Sequence, residues 1–515
     1  MSGSIPASDV MVAYLSKVKK HPVNFRFVPA NFNFNHIENK IEPVILMKGE
    51  SMTTFAQAVV QNPAPTRTTN GMRARSGSGA PLVDLFYKIG ASRGKNIVPD
   101  FEKAYQTDSD IALKIALWAR DVRGGAGERQ LVRDILLHME KQYPDTLMRL
   151  LPFIPEFGRW DDMLIFKTKQ IKDAAYTLIG DALRERNGLC AKWMPRQGAI
   201  AVEIRNFYGM TPKQYRKSLV ALTNVVETKM CARDWDSIEF GKLPSLASAR
   251  YNKAFGRNAA EAYAKYKARL TAGTDKVNAN AVYPHDVIKT LKHGGDHVVV
   301  DAQWKSLPDY MDGSAVMPLV DVSGSMHCPV GGNKNLMCID VALALGLYCA
   351  DKNKGAFKDT FLTFSGKPKA QVVKGTLSQK MVQMNSSDWG MNTDLNAAFD
   401  EILRVAVKGK VADADMPKTL LILSDMQFDQ CVRFDDTAHK MIVRKYKDAG
   451  YTVPNIVFWN LNSHDNVPVK FDKRGTALVS GFSPAVMKGI LSGADMTPEG
   501  IMLATVDVPR YGVLD

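Results

Sequence analysis

Val316-Met-Pro-Leu-Val-Asp-Val-Ser-Gly-Ser-Met326 is the stretch on which the reading of this chain turns. Its first five residues form an apolar run of strand length. The Asp321-x-Ser323-x-Ser325 spacing then places a carboxylate at the strand's end and hydroxyls two and four residues later. Three hard oxygens in one tight loop suit a small divalent cation, and Mg²⁺, which wants octahedral oxygen coordination and keeps several waters, is the natural occupant, with another divalent cation as the alternative. Two further oxygens of the same kind follow: Thr393 in Asn-Thr-Asp-Leu and Asp425 in Leu-Ser-Asp-Met, each beside an apolar element.

Downstream of that stretch, apolar runs of strand length alternate with helical patterns. Strands are predicted at 316–320, 360–364, 419–423, 455–459 and 476–479, and helices at 336–350, 395–405, 436–448 and 484–491. Such alternation predicts a doubly wound, mainly parallel sheet, in which ligands sit beyond the carboxyl ends of the strands. Asp321 and Asp425 each follow a strand directly and so fall where that rule puts a site. Pro318 is awkward inside the first strand, because it lacks a ladder donor.

Upstream, from about Pro81 to Leu270, the period is helical. Ile111, Ile115 and Trp118 recur at i, i+4, i+7, as do Leu131, Ile135 and His138, and Tyr215, Leu219, Leu222 and Val226 continue the pattern. Short breakers separate these runs, which predicts stacked antiparallel helix pairs of the irregular α-solenoid kind. Gly124, Gly125 and Gly127 lack the Gly-Lys-Ser/Thr ending of a phosphate loop and do not follow a strand, so they read as a helix-turn-helix corner. The aspartates of Pro155-Glu-Phe-Gly-Arg-Trp-Asp-Asp162 read as turn and N-cap chemistry. His293 and His297 have i, i+4 spacing, but Gly294 and Gly295 between them argue for a loop rather than one helical metal face. Residues 1–78, rich in Pro, Thr, Gly and Ser towards their end, read as an extended arm and a flexible loop.

The charge balance bears on partners. The chain carries 67 Lys+Arg against 53 Asp+Glu, a formal +14, which favours an anionic partner. Cations at Lys192, Arg196, Arg205, Lys213, Arg216 and Lys217 belong to a longer basic series interleaved with Trp193, Phe207, Tyr208, Tyr215, Trp235, Tyr251 and Phe255. Cations for phosphates and aromatics for unstacked bases are what single-stranded or loop RNA asks of a protein. The competing reading is ordinary solvated helix faces over an aromatic core. Six cysteines without a C-x-x-C pair suggest a reducing, intracellular setting. With neither a secretory leader nor an apolar run of membrane-span length, the chain is expected to be soluble and cytoplasmic, with no membrane partner.

Asp321, Ser323, Ser325, Thr393 and Asp425 resemble the metal-ion-dependent adhesion site of von Willebrand factor A domains, in the right order. The helical half, with Arg120-Asp-Val-Arg-Gly-Gly-Ala-Gly-Glu128, Pro155-Glu-Phe-Gly-Arg-Trp-Asp-Asp162 and Lys192-Trp-Met-Pro-Arg196, is similar to the TROVE module of the Ro autoantigen ribonucleoprotein family and its viral, bacterial and plant relatives. The resemblance implies an α + α/β chain: an arm over 1–78, a HEAT-like helical-repeat domain over 79–290 that forms a ring, and a von Willebrand factor A-like domain over 291–515. It also implies binding of small structured or misfolded noncoding RNA on the helical ring. The five site residues would hold Mg²⁺ and leave one coordination position for an Asp or Glu of a protein partner. The alternative is a metal-dependent assembly factor that acts through the A domain without RNA. No nucleophile and base stand together as hydrolysis would require, and His327 is a lone loop histidine, so no enzyme is expected.

Overall fold

The computed structural model describes residues 63–223, 225–279, 282–311, 315–330, 333–363, 368–386, 394–428, 437–462, 464, 466–492 and 495–514. A six-stranded mixed sheet occupies the C-terminal part: β3 (Val316–Val320), β6 (Thr360–Thr363), β7 (Ala370–Val372), β8 (Thr419–Ser424), β9 (Asn455–Asn460) and β10 (Thr476–Ser480), in the order β10-β9-β8-β3-β6-β7. Two short hairpins complete the strands, β1 (Pro65–Arg67) with β2 (Arg73–Arg75) and β4 (Pro329–Val330) with β5 (Asn333–Met337). β3 and β8 are buried along their whole lengths, as parallel strands covered on both faces must be. Pro318 pairs in register with Leu421 of β8, and the ladder to β6 begins one residue later at Leu319↔Leu362. Asp321 N donates to Leu423 O on the β8 side and amides alternate sides along a strand, so the proline's missing donor faces β6, whose ladder starts only after it.

The sheet is laid down from the middle. From β3 the chain moves to β6 and turns back in antiparallel β7; it then crosses to the other side of β3 for β8 and continues outward through β9 and β10. The order reverses between the neighbouring strands β3 and β8, which opens a crevice at their carboxyl ends. Helix Cys338–Lys352 packs on β3, β6 and β8, and Gly346 lets it come close: a Cβ there would lie 2.3 Å from Val320 Cγ2.

Residues 81–305 are helical, with extended connections. Their ends are set by local chemistry: Asp108 accepts from the Asp110 and Ile111 amides to start Ser109–Arg120, and Thr211 with Gln214 forms a capping box at the start of Pro212–Leu222. The Gly124–Gly127 corner winds back on the end of Ser109–Arg120, where Ala126 N and Glu128 N donate to Trp118 O and Ala119 O. A Cβ on Gly125 would stand 1.9 Å from Trp118 O, so close approach of the backbone requires glycine there.

Three features of the chain differ from expectation. The stretch read as a flexible loop holds the β1–β2 hairpin, which docks on the far end of the chain: Arg75 and Val467 exchange backbone hydrogen bonds of 2.9 and 2.8 Å, and Thr68 Oγ donates to Phe428 O at 2.6 Å. The remainder of that arm, 1–62, lies outside the described residues. The border placed at 290/291 falls inside helix Pro284–Lys292. Strand β7 and helices Leu377–Asn385 and Pro498–Val506 were not anticipated.

One large core runs from Met72 through the helices and the sheet to Tyr511. Helix Pro81–Ile89 packs on β10, where Ser480 Oγ donates to Phe86 O and Gly90 N donates to Ser480 Oγ. A second, aromatic core of Phe240, Phe255, Tyr263 and Tyr266 gathers helices Ser245–Asn258, Ala260–Thr271 and His297–Lys305.

Candidate cation site and basic face

The reversal between β3 and β8 positions the site. Asp321 ends β3, its amide donates to Leu423 O at 2.9 Å, and its carboxylate is fully buried. Oδ1 accepts from Ser323 N at 2.9 Å and Oδ2 from Ser424 Oγ at 2.5 Å. Ser323 Oγ and Ser325 Oγ lie 3.1 Å apart. Across the crevice Asp425, 1 % exposed, accepts from Gln427 N at 3.2 Å and is hydrogen-bonded by the Ser325 side chain. Met426, next to it, takes a left-handed φ of 63°, uncommon outside glycine, and the Ser424 hydroxyl accepts from its amide at 3.0 Å. The structure thus brings together Asp321, Ser323, Ser325 and Asp425; Thr393 lies outside the described residues.

Electrostatics tests whether these groups suit a cation. Burial, reinforced by the nearby Asp425 charge, pushes the Asp321 carboxyl up to about 6, and burial raises Asp425 as well. Two carboxylates in one dry crevice repel, and a divalent cation between them would relieve both penalties. The donors are all oxygen, as a hard cation needs. No group of three or more His, Cys, Asp or Glu suited to a metal gathers among the described residues, so the hydroxyls must supply the rest of the shell. Ser424 was missed in the sequence, although its place directly before Asp425 was the available signal. His327, three residues after Gly324, has Nδ1 within 3.3 Å of Ser323 O, so its ring is tied to its own loop.

The motifs at 120–128 and 155–162 form a structural network. Arg120 donates to Asp162 Oδ2 from Nε at 2.8 Å and Nη2 at 2.6 Å, and Arg133 Nε donates to Oδ1 at 2.6 Å. Asp162 also accepts from Arg159 N at 3.0 Å, so the capping reading holds but is the lesser part of its role. Asp121, fully buried, takes Arg510 Nε at 2.6 Å, Arg510 Nη2 at 3.0 Å and Tyr511 Oη at 3.1 Å, which clasps the end of the chain to this corner.

The basic candidates divide by exposure. Lys192, Arg196, Lys213, Arg216 and Lys217 are exposed and Arg205 is half-buried. No described carboxylate lies within ion-pair distance of any of the six. Arg196 Nη2 reaches Thr223 Oγ1 at 3.5 Å, which sets Lys192-Trp-Met-Pro-Arg196 beside the end of helix Pro212–Leu222. Residues 184–257 hold 14 Lys/Arg against 6 Asp/Glu, so +8 of the chain's +14 lies there. Of the interleaved aromatics, Tyr215 and Phe255 are buried in core, Trp193 is half-buried under the Arg159 guanidinium, and Phe207 is exposed. A cleft of about 570 Å³ between Ser245–Asn258 and Pro284–Lys292 is lined by Arg250, Lys253, Lys289 and His293, with Asp286 as its one carboxylate. His293 caps one helix and His297 starts the next, so the two histidines share no helical face. No helix among the described residues is long and apolar enough to cross a membrane.

Fold and site together define an α + α/β protein with an oxygen-rich crevice at its sheet's strand reversal. Residues 315–507 match the model of a family described as a domain of unknown function (DUF7788), and 68–166 with 195–316 match another so described, DUF2828. An uncharacterized protein of Acanthamoeba polyphaga mimivirus is 29% identical over 504 residues, across 85% of this chain and 87% of its own.

Proposed function

We propose that this is an RNA-binding ribonucleoprotein component of the Ro type, with HEAT-like repeats in the helical part and a von Willebrand factor A-like unit around the sheet. Small structured or misfolded noncoding RNA is the ligand of the helical part, and a Mg²⁺-dependent adhesion site of Asp321, Ser323, Ser325, Thr393 and Asp425 serves the sheet part. The observation that carries the RNA reading is the unpaired basic surface. Eight of the fourteen excess positive charges fall within 184–257, and Lys192, Arg196, Lys213, Arg216 and Lys217 stand exposed without a carboxylate partner among the described residues. Solvated helix faces ordinarily balance such charges at i, i+3 or i, i+4, as Lys265 does with Glu261; within 184–257 Arg184 and Lys242 are balanced in this way by Asp181 and Glu239, and these five are not.

Phosphate contacts release counterions, so affinity should fall steeply with salt. A gel-shift titration of structured and single-stranded RNA at rising salt tests the reading, with a Lys213→Ala, Arg216→Ala, Lys217→Ala triple variant beside it. Weakened binding with a shallower salt slope in the triple variant is the expected result. Absence of binding to any RNA at low salt would end the reading.

A second reading rests on a different observation, the buried Asp321–Asp425 pair. In it a divalent cation captures a carboxylate from a protein partner, and RNA plays no part. The protein's own groups hold the cation and shape the crevice; no step of bond-making is assigned to them. Chelation and Asp321→Ala should then each abolish partner capture, and RNA removal should leave it intact.

A further inference from the structure

We propose that Cys328 and Cys338 form a peroxide-reactive dithiol that closes to an intramolecular disulfide. The β4–β5 register pairs Pro329 with Met337, which sets Cys328 opposite Cys338 one step further along, and Cys338 N donates to Cys328 O at 3.1 Å. Directly opposed residues on antiparallel strands have Cα atoms roughly 4.5–5.5 Å apart, inside the span a disulfide bridges. The side chains already face each other, with Sγ atoms 3.3 Å apart.

The two thiols differ in the way an attacking and a resolving cysteine must. Cys328 is half-buried, while Cys338 is 1 % exposed. Asn462 Nδ2 donates to Cys328 Sγ at 3.3 Å. A hydrogen bond from Cys338 lowers the Cys328 thiol against its partial burial, whereas Cys338 is raised. The thiolate therefore forms on Cys328, the sulfur a small oxidant can reach, and the thiolate is the nucleophile. The other described cysteines lack such a partner: Cys190 and Cys349 are buried, with burial pushing each thiol up to about 12, and Cys231 is exposed.

The oxidant is hydrogen peroxide. Cys328 thiolate attacks one peroxide oxygen, the O–O bond breaks, an S–O bond forms, and the departing hydroxide takes a proton to become water. Cys338 sulfur then attacks the sulfenic sulfur, the S–O bond breaks, and the second water leaves with the Cys338 proton. Two thiols lose two electrons in total, and one peroxide becomes two waters. The bond covalently closes the hairpin that follows the Asp321–Ser325 loop. It depends neither on the RNA reading nor on the cation.

Brief treatment of the whole protein with hydrogen peroxide, alkylation of remaining thiols and tryptic digestion tests this. Lys334 lies between the two cysteines, so cleavage leaves 306–334 and 335–352 joined only if the bond has formed, with a mass loss of two hydrogens. Peptide 335–352 also contains Cys349, so Cys338→Ser and Cys349→Ser variants are treated in parallel. The linked pair is expected in wild type and Cys349→Ser, reversed by dithiothreitol and lost in Cys338→Ser, where Cys328 instead traps a sulfenic-acid probe. Linkage that survives in Cys338→Ser, or oxidation of Cys231 with Cys328 left reduced, would overturn the proposal. The wild-type arm stands even where a serine variant misfolds.

Discussion

Asp162 is a single buried carboxylate that holds Arg120 and Arg133 and caps the turn at Arg159. Removing it strands Arg120, whose side chain is 4% exposed, and an uncompensated buried charge of this kind costs about 3–5 kcal/mol. Asp162→Ala should lower the urea-unfolding free energy by that order, and an unchanged midpoint would contradict the network described above. His285 gives a second test, in pH. Burial lowers its pKa from 6.5 to about 4, outweighing the Asp286 charge beside it, while Arg93 and Lys289 push it the same way as burial. Its Nδ1 is buried without a partner, and its ring stacks on Tyr283 and meets Phe482 edge-on. A folded pKa below the unfolded one means the unfolded chain binds the extra proton. The penalty is therefore absent above about 6.5, grows as pH falls, and saturates below about 4, reaching on the order of 3 kcal/mol. Wild type should lose stability relative to His285→Phe across that window, a difference measurable by denaturation at matched pH. At the crevice, Asp321→Asn tests the proposed cation site: it keeps size but removes one of the two buried carboxylates. Mg²⁺ binding by titration calorimetry should fall at least about tenfold, since loss of a charged ligand outweighs the relief of repulsion with Asp425.

At the scale of elements, the sheet was legible where its strands are continuous apolar runs. β3, β8, β9 and β10 were placed within a residue of where they lie, because strands buried on both faces write their burial into every position. β7 was not legible: Ala370–Val372 is a three-residue edge strand with one half-buried and two exposed residues, so it carries neither a run nor an alternation. The β1–β2 hairpin failed for a related reason. Pro-Thr-Arg and Arg-Ala-Arg are polar by composition, and their order comes from hydrogen bonds to Val467, Phe428 and Gln427, 357 or more residues away. Of the site, Asp321, Ser323, Ser325 and Asp425 were visible by spacing, whereas the contribution of Ser424 depends on the β3–β8 register. The glycine corner is testable at this scale. Gly125→Ala forces a Cβ against Trp118 O, and because backbone cannot yield as a side-chain tip can, a loss of about 2–4 kcal/mol is expected by urea unfolding.

Across the whole molecule, the helical part and the sheet share one core, and both ends of the described chain are fastened to distant partners. Arg510 and Tyr511 close on Asp121, and the β1–β2 hairpin closes on Val467. Far-UV circular dichroism, which follows helix, and tryptophan fluorescence, which includes Trp459 inside β9, should therefore report one coincident unfolding transition. Two separated transitions would mean that the shared core does not couple the two parts. The contact of Phe86 with Ser480 also sets a schedule. The bond spans 394 residues, so at roughly 5–20 residues per second a ribosome needs on the order of 20–80 s after making helix Pro81–Ile89 before the strand that covers it exists. For that interval the helix's apolar face, with Val83, Phe86 and Ile89, has no sheet to rest on. The nascent chain is then a client for whatever shields exposed hydrophobic segments during translation.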